Sequence, residues 1–238
     1  MPETNQPRVG AVIAAAGASQ RMAGIDKVFA PLGGKPVLAR VVDVFHNCRS
    51  IDQIVLVLNQ PNVAKAQQLI AESVLALSLP KGKVTVCAGG ERRQDSVLAG
   101  LNHLDKCDWV VVHDGARPLV TEDLILKGLE SARETGTAVA AVPVTDTIKF
   151  AGDDLIVQGT PPRRNLWAVQ TPQVFRFDII TEAYRQMKYE VTDDATLVER
   201  TGYKIKLYTG SYDNIKITTP DDLALAEILW RKREKQAA

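Results

Sequence analysis

The 238-residue chain has little cysteine, few aromatic residues and almost no net charge. Its three cysteines, Cys48, Cys87 and Cys107, show no metal-ligand spacing, and their odd number argues against a disulfide framework, so we expect a reducing, cytoplasmic location. The 29 basic residues are balanced by 28 acidic ones and aromatic residues make up only 5% of the chain, which disfavours a nucleic-acid partner. Any anion site must therefore come from local clustering of cations.

The chain also lacks a long hydrophobic run. The longest run near the N-terminus covers residues 9–18, about ten residues, whereas a membrane-spanning helix needs roughly 20. Residues 1–6 are polar and acidic, unlike a signal peptide. Apolar residues nevertheless make up 45% of the chain, which is enough for a large core. The composition predicts a globular protein with no membrane partner.

Short β-branched segments alternate with segments of helical periodicity along the first 144 residues. This alternation predicts an α/β fold with a mostly parallel, twisted sheet flanked by helices and right-handed crossovers. The predicted strands cover residues 9–16, 53–58, 83–87, 108–113 and 138–144, and the predicted helices cover residues 36–48, 63–77, 93–104 and 122–134.

The alternation breaks at residues 145–172. Two short β-prone segments, residues 147–150 and 155–158, flank a turn-like sequence, and the consecutive Pro161 and Pro162 prevent a helix. We predict a β-arm over residues 145–172 that protrudes from the sheet and either makes dimer contacts or covers a site. An ordinary surface excursion is the alternative.

The rest of the chain returns to regular elements. Helices are predicted near residues 177–188 and 194–200, a strand at residues 204–208, and a final helix for which Thr219 is the N-cap. Because no internal repeat or linker is evident, residues 1–238 are interpreted as one domain that carries the arm.

The first predicted strand runs into a loop of small residues that could bind phosphate. Backbone N–H groups can approach phosphate oxygens there, but the loop is neither a dinucleotide-binding nor a Walker A motif, and a tight turn is the alternative. Arg21 and Lys27 add two cations. Such cations are needed where a triphosphate meets a phosphomonoester, because the two bring roughly five or six negative charges together. The candidate nucleotide-binding residues in the loop are Ala15, Ala16, Gly17 and Ala18.

Three further segments end at the same predicted sheet edge, where ligands bind in such folds. Residues 88–96 suit a loop over a base or ribose, although a capped turn explains them too. Asp114, at the end of an apolar strand, is a candidate ligand for Mg²⁺, which would bridge phosphate oxygens. If residues 211–218 form a strand beside the first strand, Asp213 becomes a second metal carboxylate and Lys216 a phosphate cation; a plain surface strand is the alternative.

Taken in order, these segments resemble a known family. The motifs are Ala-Ala-Gly-x-Ser-x-Arg-Met with a following Lys, Gly-Gly-x-x-Arg-x-Asp-Ser-Val, Val-His-Asp-x-Ala-Arg-Pro, Pro-Val-x-Asp-Thr-Ile-Lys, Leu-Trp-x-x-Gln-Thr-Pro-Gln-x-Phe, Thr-Asp-Asp-Ala and Asn-Ile-Lys-Ile-Thr. Together they resemble the 2-C-methyl-D-erythritol 4-phosphate cytidylyltransferases of the non-mevalonate isoprenoid pathway, over roughly residues 8–230. The ribitol-5-phosphate cytidylyltransferases share much of the pattern.

The resemblance implies a Rossmann-like domain, a homodimer joined through the β-arm, and a divalent cation such as Mg²⁺. The implied reaction transfers CMP from CTP to a small polyol phosphate, methylerythritol phosphate, with release of pyrophosphate. By match of motif, Arg21 and Lys27 would stabilise the pentacoordinate transition state, Gly90 and Ser96 would hold the cytosine, and Asp114 would lie near the ribose and metal. The residues that would position the acceptor are Thr147, Arg163, Thr171 and Lys216.

The chain departs from the family pattern at one position. The family usually has Pro-Lys at the catalytic lysine, whereas this chain has Asp26 before Lys27, which could partly neutralise the lysine or reshape its loop. Two other functions stay open from sequence: cytidylyl transfer to ribitol phosphate, and a non-catalytic nucleotide-binding protein on the same fold. The intact set Arg21, Lys27, Asp114 and Lys216 argues against the non-catalytic protein.

Overall fold

The structure is a computed structural model that describes residues 7–19, 21–22, 24–77 and 83–237. Eleven strands and seven helices are assigned within these residues. The strands are β1 (Val9–Ala14), β2 (Pro31–Leu32), β3 (Lys35–Pro36), β4 (Gln53–Leu58), β5 (Val84–Ala88), β6 (Trp109–Asp114), β7 (Thr137–Pro143), β8 (Phe150–Ala151), β9 (Val157–Gly159), β10 (Trp167–Arg176) and β11 (Lys206–Thr209). The helices are α1 (Val37–Asn47), α2 (Val63–Leu77), α3 (Arg93–His103), α4 (Glu122–Thr135), α5 (Phe177–Arg185), α6 (Asp194–Glu199) and α7 (Pro220–Ala237).

Seven strands form a central sheet in the order β11-β7-β10-β6-β1-β4-β5. All neighbouring pairs are parallel except the two that involve β10, which runs antiparallel to β6 and β7. The interior strand β1 is buried from Val9 to Ile13, as expected for a strand that helices cover on both faces. The predicted α/β fold with a mostly parallel sheet is confirmed.

Local sequence signals explain where the helices begin and end. The Thr121 side chain accepts a hydrogen bond from the Leu124 N–H at the start of α4, and Gly136, with φ of 83°, ends that helix. At α7, the Asp222 carboxylate accepts from the N–H groups of Thr218 and Thr219, while Thr219 Oγ1 accepts from the Asp222 N–H. The predicted capping role of Thr219 is confirmed.

Two expectations about strands are wrong. β10 includes the end of the predicted arm, residues 167–172, so only residues 145–166, which carry the small β8–β9 sheet, lie outside the central sheet. Pro172 lies in β10, and a proline ordinarily argues against a strand inside a sheet. Its Thr171–Pro172 peptide bond is cis, and the ladder between β10 and β7 is interrupted there. Residues 211–218 are irregular and do not pair beside β1, whose neighbours are β4 and β6.

The carboxyl ends of β1, β4, β5 and β6 meet at one edge of the sheet. Their registers pair Ala14 with Asp114, and Leu58 with Ala88, so the loops that follow these strands converge. Within the described part of the chain, no helix has the length and apolar character needed to cross a membrane.

Candidate active site

A cleft opens at this converging edge. It receives residues from the loops after β1, β5 and β6 and from the segment before α7, which lie far apart in sequence. Its lining consists of Ala14, Ala15, Ala16, Gly17, Lys27, Val28, Gly90, Glu91, Arg92, Arg93, Ser96, Asp114, Ala116 and Lys216.

The loop after β1 packs closely against the loop after β5. A Cβ at Gly89 would come within 2.5 Å of Ser96 Oγ and 2.8 Å of the Ala16 Cβ, so only glycine permits this approach. The Ser96 hydroxyl donates to the Arg92 carbonyl oxygen at 3.2 Å, which fixes the start of α3. The two loops thus form adjoining walls of the cleft.

Asp114 is a buried carboxylate surrounded by three cations. Arg93 Nε lies 3.2 Å from its Oδ1, while Lys216 Nζ and Arg117 Nε lie 2.9 Å and 3.4 Å from its Oδ2. Burial alone would raise the pKa of Asp114, but these cations outweigh burial and hold it well below its ordinary value. Asp114 is therefore ionised and gathers positive charge at the base of the cleft.

Lys27 faces the same cleft from the loop after β1. Burial, followed by the positive charge of Lys216, lowers the pKa of Lys27, while Asp114 raises it and Arg21 lowers it. This mutual influence shows that the four groups share one electrostatic environment. Four cations of the lining, Lys27, Arg92, Arg93 and Lys216, face two carboxylates of the lining, Glu91 and Asp114, so the cleft retains positive charge that suits a polyanion.

An ion pair with Asp194 fixes the orientation of Arg93. Its Nη1 lies 2.7 Å from Asp194 Oδ2 at the start of α6, and the Tyr184 hydroxyl donates to Asp194 Oδ1 at 2.6 Å. Burial would lower the pKa of Arg93, but Asp194 and Asp114 outweigh it and raise the pKa. The guanidinium is therefore a permanent charge in a fixed orientation.

A second depression continues from the cleft and shares Arg93, Asp114 and Lys216 with it. Thr171 Oγ1 lies at this junction, where it accepts from the Asp114 N–H at 3.0 Å and lies 3.0 Å from His113 Nδ1. The remaining residues of its lining are Arg117, Val169, Gln170, Thr171, Gln173, Thr192, Asp193 and Thr196. The arrangement offers adjoining places for two ligands.

The segment that carries Lys216 reaches the cleft through backbone contacts. The Ile217 N–H donates to the Ala116 carbonyl oxygen at 2.8 Å, and Arg117 Nη1 donates to the Asn214 carbonyl oxygen at 2.8 Å. Asn214 Nδ2 in turn donates to the Thr171 carbonyl oxygen. The expected convergence of Lys216 with Asp114 holds, although by these loop contacts and not by strand pairing.

The structure brings together part of the predicted site. Eight predicted residues line the cleft: Ala15, Ala16, Gly17, Lys27, Gly90, Ser96, Asp114 and Lys216. Thr171 lines the adjoining depression. Ala18 and Arg21 are exposed and lie outside both linings, although the charge of Arg21 reaches Lys27. Thr147 and Arg163 are exposed on the arm and also lie outside both linings.

Sequence reasoning gave no role to three residues that shape the site. Arg93 and Arg117 stand in the loop motifs after β5 and β6, and Asp194 stands in the Thr-Asp-Asp-Ala motif. A signal for the two arginines was present, because each follows a strand that ends at the crevice. No local signal pairs Asp194 with Arg93, which lies 101 residues away in sequence.

The two expected metal ligands, Asp114 and Asp213, do not line the same cleft. Both oxygens of Asp114 already face cations, and Asp213 is exposed in a turn outside both linings. Across the residues that the structure describes, no group of three or more His, Cys, Asp or Glu side chains is arranged to hold a metal ion. A metal role for Asp114 and Asp213 stays a prediction.

A mostly parallel sheet whose carboxyl edge gathers a small-residue loop and several cations suits an α/β enzyme that acts on phosphate-bearing substrates, such as a nucleotidyltransferase. The model of one family, 2-C-methyl-D-erythritol 4-phosphate cytidylyltransferase, matches residues 9–232. The chain belongs to this family.

Individual relatives agree along nearly the whole chain. A 2-C-methyl-D-erythritol 4-phosphate cytidylyltransferase of Dehalococcoides mccartyi is 51% identical, with 94% of this chain and 97% of the relative covered. One of the same name from Caldanaerobacter subterraneus is 44% identical, with 94% and 99% covered. The solved 4-diphosphocytidyl-2C-methyl-D-erythritol synthase of Anaerococcus prevotii superposes with a TM-score of 0.83 at 31% identity, with 95% and 97% of the two chains covered.

Proposed function

We propose that the chain transfers CMP from CTP to 2-C-methyl-D-erythritol 4-phosphate, giving 4-diphosphocytidyl-2-C-methyl-D-erythritol and pyrophosphate. The observation that carries this proposal is the convergence of Lys27, Asp114 and Lys216 on one cleft beside a loop of small residues. The names of the relatives supply the particular nucleotide and acceptor. The adjoining depression at Thr171 supplies a place for the acceptor.

The residues present suit a mechanism without a general base. A phosphate monoester is largely a dianion at neutral pH, so the acceptor can attack the α-phosphorus directly. What remains is to hold two polyanions together and to stabilise the charge that builds during transfer. Lys27 and Arg21 serve the triphosphate, while Asp114 holds Lys216, Arg93 and Arg117 between the two ligand places.

We propose that a divalent cation such as Mg²⁺ enters as the metal complex of CTP, as part of the substrate. Mg²⁺ commonly binds substrate phosphates and keeps several waters, with one or two carboxylates at most. This fits a cleft whose one buried carboxylate, Asp114, is committed to cations.

We propose a homodimer joined through the β-arm. The arm exposes large apolar side chains at Ile148, Phe150, Leu155, Ile156 and Val157, with 85% of Leu155 accessible. Such a cluster on a protruding hairpin marks an interaction surface. Thr147 and Arg163, assigned to acceptor binding by the family pattern, lie on this arm, so we propose that they complete the cleft of the second protomer.

We also propose a cytoplasmic location. Cys48, Cys87 and Cys107 are all free thiols, and burial raises the pKa of each. Unreactive, unpaired cysteines suit a reducing compartment.

The decisive experiment crosses CTP, UTP, ATP and GTP with methylerythritol phosphate and ribitol 5-phosphate and measures pyrophosphate release. We expect release with CTP and methylerythritol phosphate, and little with the other seven pairs. Preference for ribitol phosphate would reassign the acceptor. CTP binding without release under any pair would favour a nucleotide-binding protein and overturn the proposal.

A further inference from the structure

The residue before Lys27 makes a specific contact outside its own loop. Asp26 Oδ2 accepts a hydrogen bond from Asn62 Nδ2 at 2.6 Å. Asn62 is the last residue of a 3₁₀ turn, Gln60–Asn62, that directly follows β4, and the Asn59 side chain caps that turn by accepting from the Asn62 N–H. The Asp26 carboxylate is thus hydrogen-bonded to a capped turn at the end of a buried strand.

The contacts on either side of Lys27 restrain its backbone. Asp26 Oδ1 accepts from the Val28 N–H at 3.3 Å, and the Phe29 N–H donates to the Asp26 carbonyl oxygen at 3.1 Å. Two residues beyond Lys27, the Phe29 ring lies 3.9 Å beneath Lys65 Nζ of α2. Asp26 therefore contacts Asn62, and Phe29 contacts Lys65. Lys27 lies in sequence between Asp26 and Phe29, so its backbone is restrained on both sides.

Lys27 needs such restraint because like charges surround it. Lys216 and Arg21 both act against its positive charge, and repulsion alone would favour a loop that swings away from the cleft. The charge of Asp26 raises the pKa of Lys27 less than the charge of Asp114 does, and the Asp26 carboxylate is directed to Asn62.

We propose that Asp26 and Asn62 form a tether that positions Lys27 for transfer, and that Asp26 does not serve as a counter-charge to the lysine. The inference rests on the proposed function, because the position of Lys27 matters for cytidylyl transfer. It makes Asp26 and Asn62 positioning residues that act through Lys27.

Four variants separate a tether from a counter-charge. Asn62→Ala breaks the hydrogen bond and keeps the charge of Asp26, whereas Asp26→Asn removes the charge and keeps an acceptor for Asn62. Asp26→Ala removes both. The exchanged double variant, Asp26→Asn with Asn62→Asp, restores the hydrogen bond with donor and acceptor reversed.

A tether predicts that Asn62→Ala and Asp26→Ala each lower kcat about tenfold, since small displacements of a catalytic group are costly. The KM for methylerythritol phosphate should stay within about twofold, and Asp26→Asn and the exchanged pair should retain kcat within about threefold of the unmodified enzyme. A counter-charge predicts the reverse: Asn62→Ala without effect, and Asp26→Asn as impaired as Asp26→Ala. That pattern would overturn the proposal.

A second comparison asks whether the tether acts through Lys27. In a Lys27→Ala background, Asn62→Ala should cause no further loss of kcat, whereas a second tenfold loss would refute action through the lysine. Melting temperatures of all variants identify those that fail to fold, and Asn62→Ala and Asp26→Asn still decide the question if Asp26→Ala is one of them.

Failure of the proposed function would be recognised separately. If the unmodified enzyme releases no pyrophosphate with any substrate pair, that function is wrong, and amide hydrogen exchange still tests the tether. A peptide that covers residues 24–30 should exchange faster in Asn62→Ala than in the unmodified chain or in Asp26→Asn. Equal exchange in all three would overturn the tether.

Discussion

A mixture of two inactive variants tests whether each active site is built from two chains. Lys27 lines the cleft of its own chain, whereas Arg163 lies on the arm, outside that cleft, where its Nη1 donates to the Thr145 carbonyl oxygen at 2.6 Å. If the arm of one protomer completes the cleft of the other, a Lys27→Ala chain still supplies an intact arm. An Arg163→Ala chain still supplies an intact cleft. A dimer that contains one of each then has one complete site.

The expected magnitude follows from this geometry. Equal amounts of the two variants, unfolded together and refolded, give mixed dimers as about half of the population, and one site in two is complete in each, so about a quarter of the original activity returns. The assay is pyrophosphate release from CTP and methylerythritol phosphate. A mixture of Lys27→Ala with Lys216→Ala is the matched control. Each of these changes damages the cleft of the chain that carries it, so both sites of a mixed dimer stay damaged.

Recovery to about a quarter in the first mixture and none in the control would support a shared site. If neither mixture recovers, while light scattering shows dimers and each variant is folded, Arg163 does not act across the interface. Equal recovery in both mixtures would also refute the reasoning, since it would mean that the cleft residues themselves are exchanged between chains.

Three other perturbations have defined outcomes. Arg21→Ala and Lys27→Ala should each lower kcat by about 10²–10³, with Lys127→Ala, an exposed cation on α4, as a neutral control; losses under tenfold in both would contradict their roles. Chelation of divalent cations should abolish pyrophosphate release without changing the melting temperature of the ligand-free protein, whereas a lower melting temperature would indicate a resident metal. Burial lowers the pKa of His113 from 6.5 to about 4, so the unfolded chain takes up a proton that the folded chain refuses. The free energy of unfolding is therefore highest above pH 6.5, where His113 is neutral in both states. It falls by about 3 kcal/mol on acidification to pH 4, because the unfolded chain is then protonated. Urea unfolding of His113→Asn should lack that part of the pH dependence, and an unchanged slope would assign it elsewhere.

Local sequence patterns predicted the parts of the fold that depend on local physics. A buried apolar strand such as β1 and a capped helix such as α7 are encoded within a few residues of themselves. β10 was missed because its sequence contains Pro172, and proline ordinarily argues against a central strand. The structure accommodates it where the ladder with β7 is interrupted, which is a property of the pairing and not of the ten residues alone.

The same distinction explains the site. The loop after β1, Lys27 and Asp114 could be named from sequence because small residues, cations and an acid follow strands whose ends must share one edge. Gly90 and Ser96 were assigned to the cytosine by the family pattern. Lys216 was named on the assumption of a strand beside β1, which the structure does not have among its described residues. The contact that Asp26 makes could not be predicted, because its partner Asn62 lies 36 residues away.

The role of Asp114 shows why chemistry at a strand end depends on distant residues. An acid at that position can hold a metal or can hold cations, and the strand itself is the same in both cases. Here Arg93 arrives from α3 and Lys216 from the segment before α7, with only Arg117 close in sequence, and together they occupy both carboxylate oxygens. Asp194 also contacts Arg93, so three cations face two carboxylates and an excess of positive charge is left in the cleft. Because Asp114 is ionised, it holds these cations together in a cleft that suits two phosphate-bearing substrates.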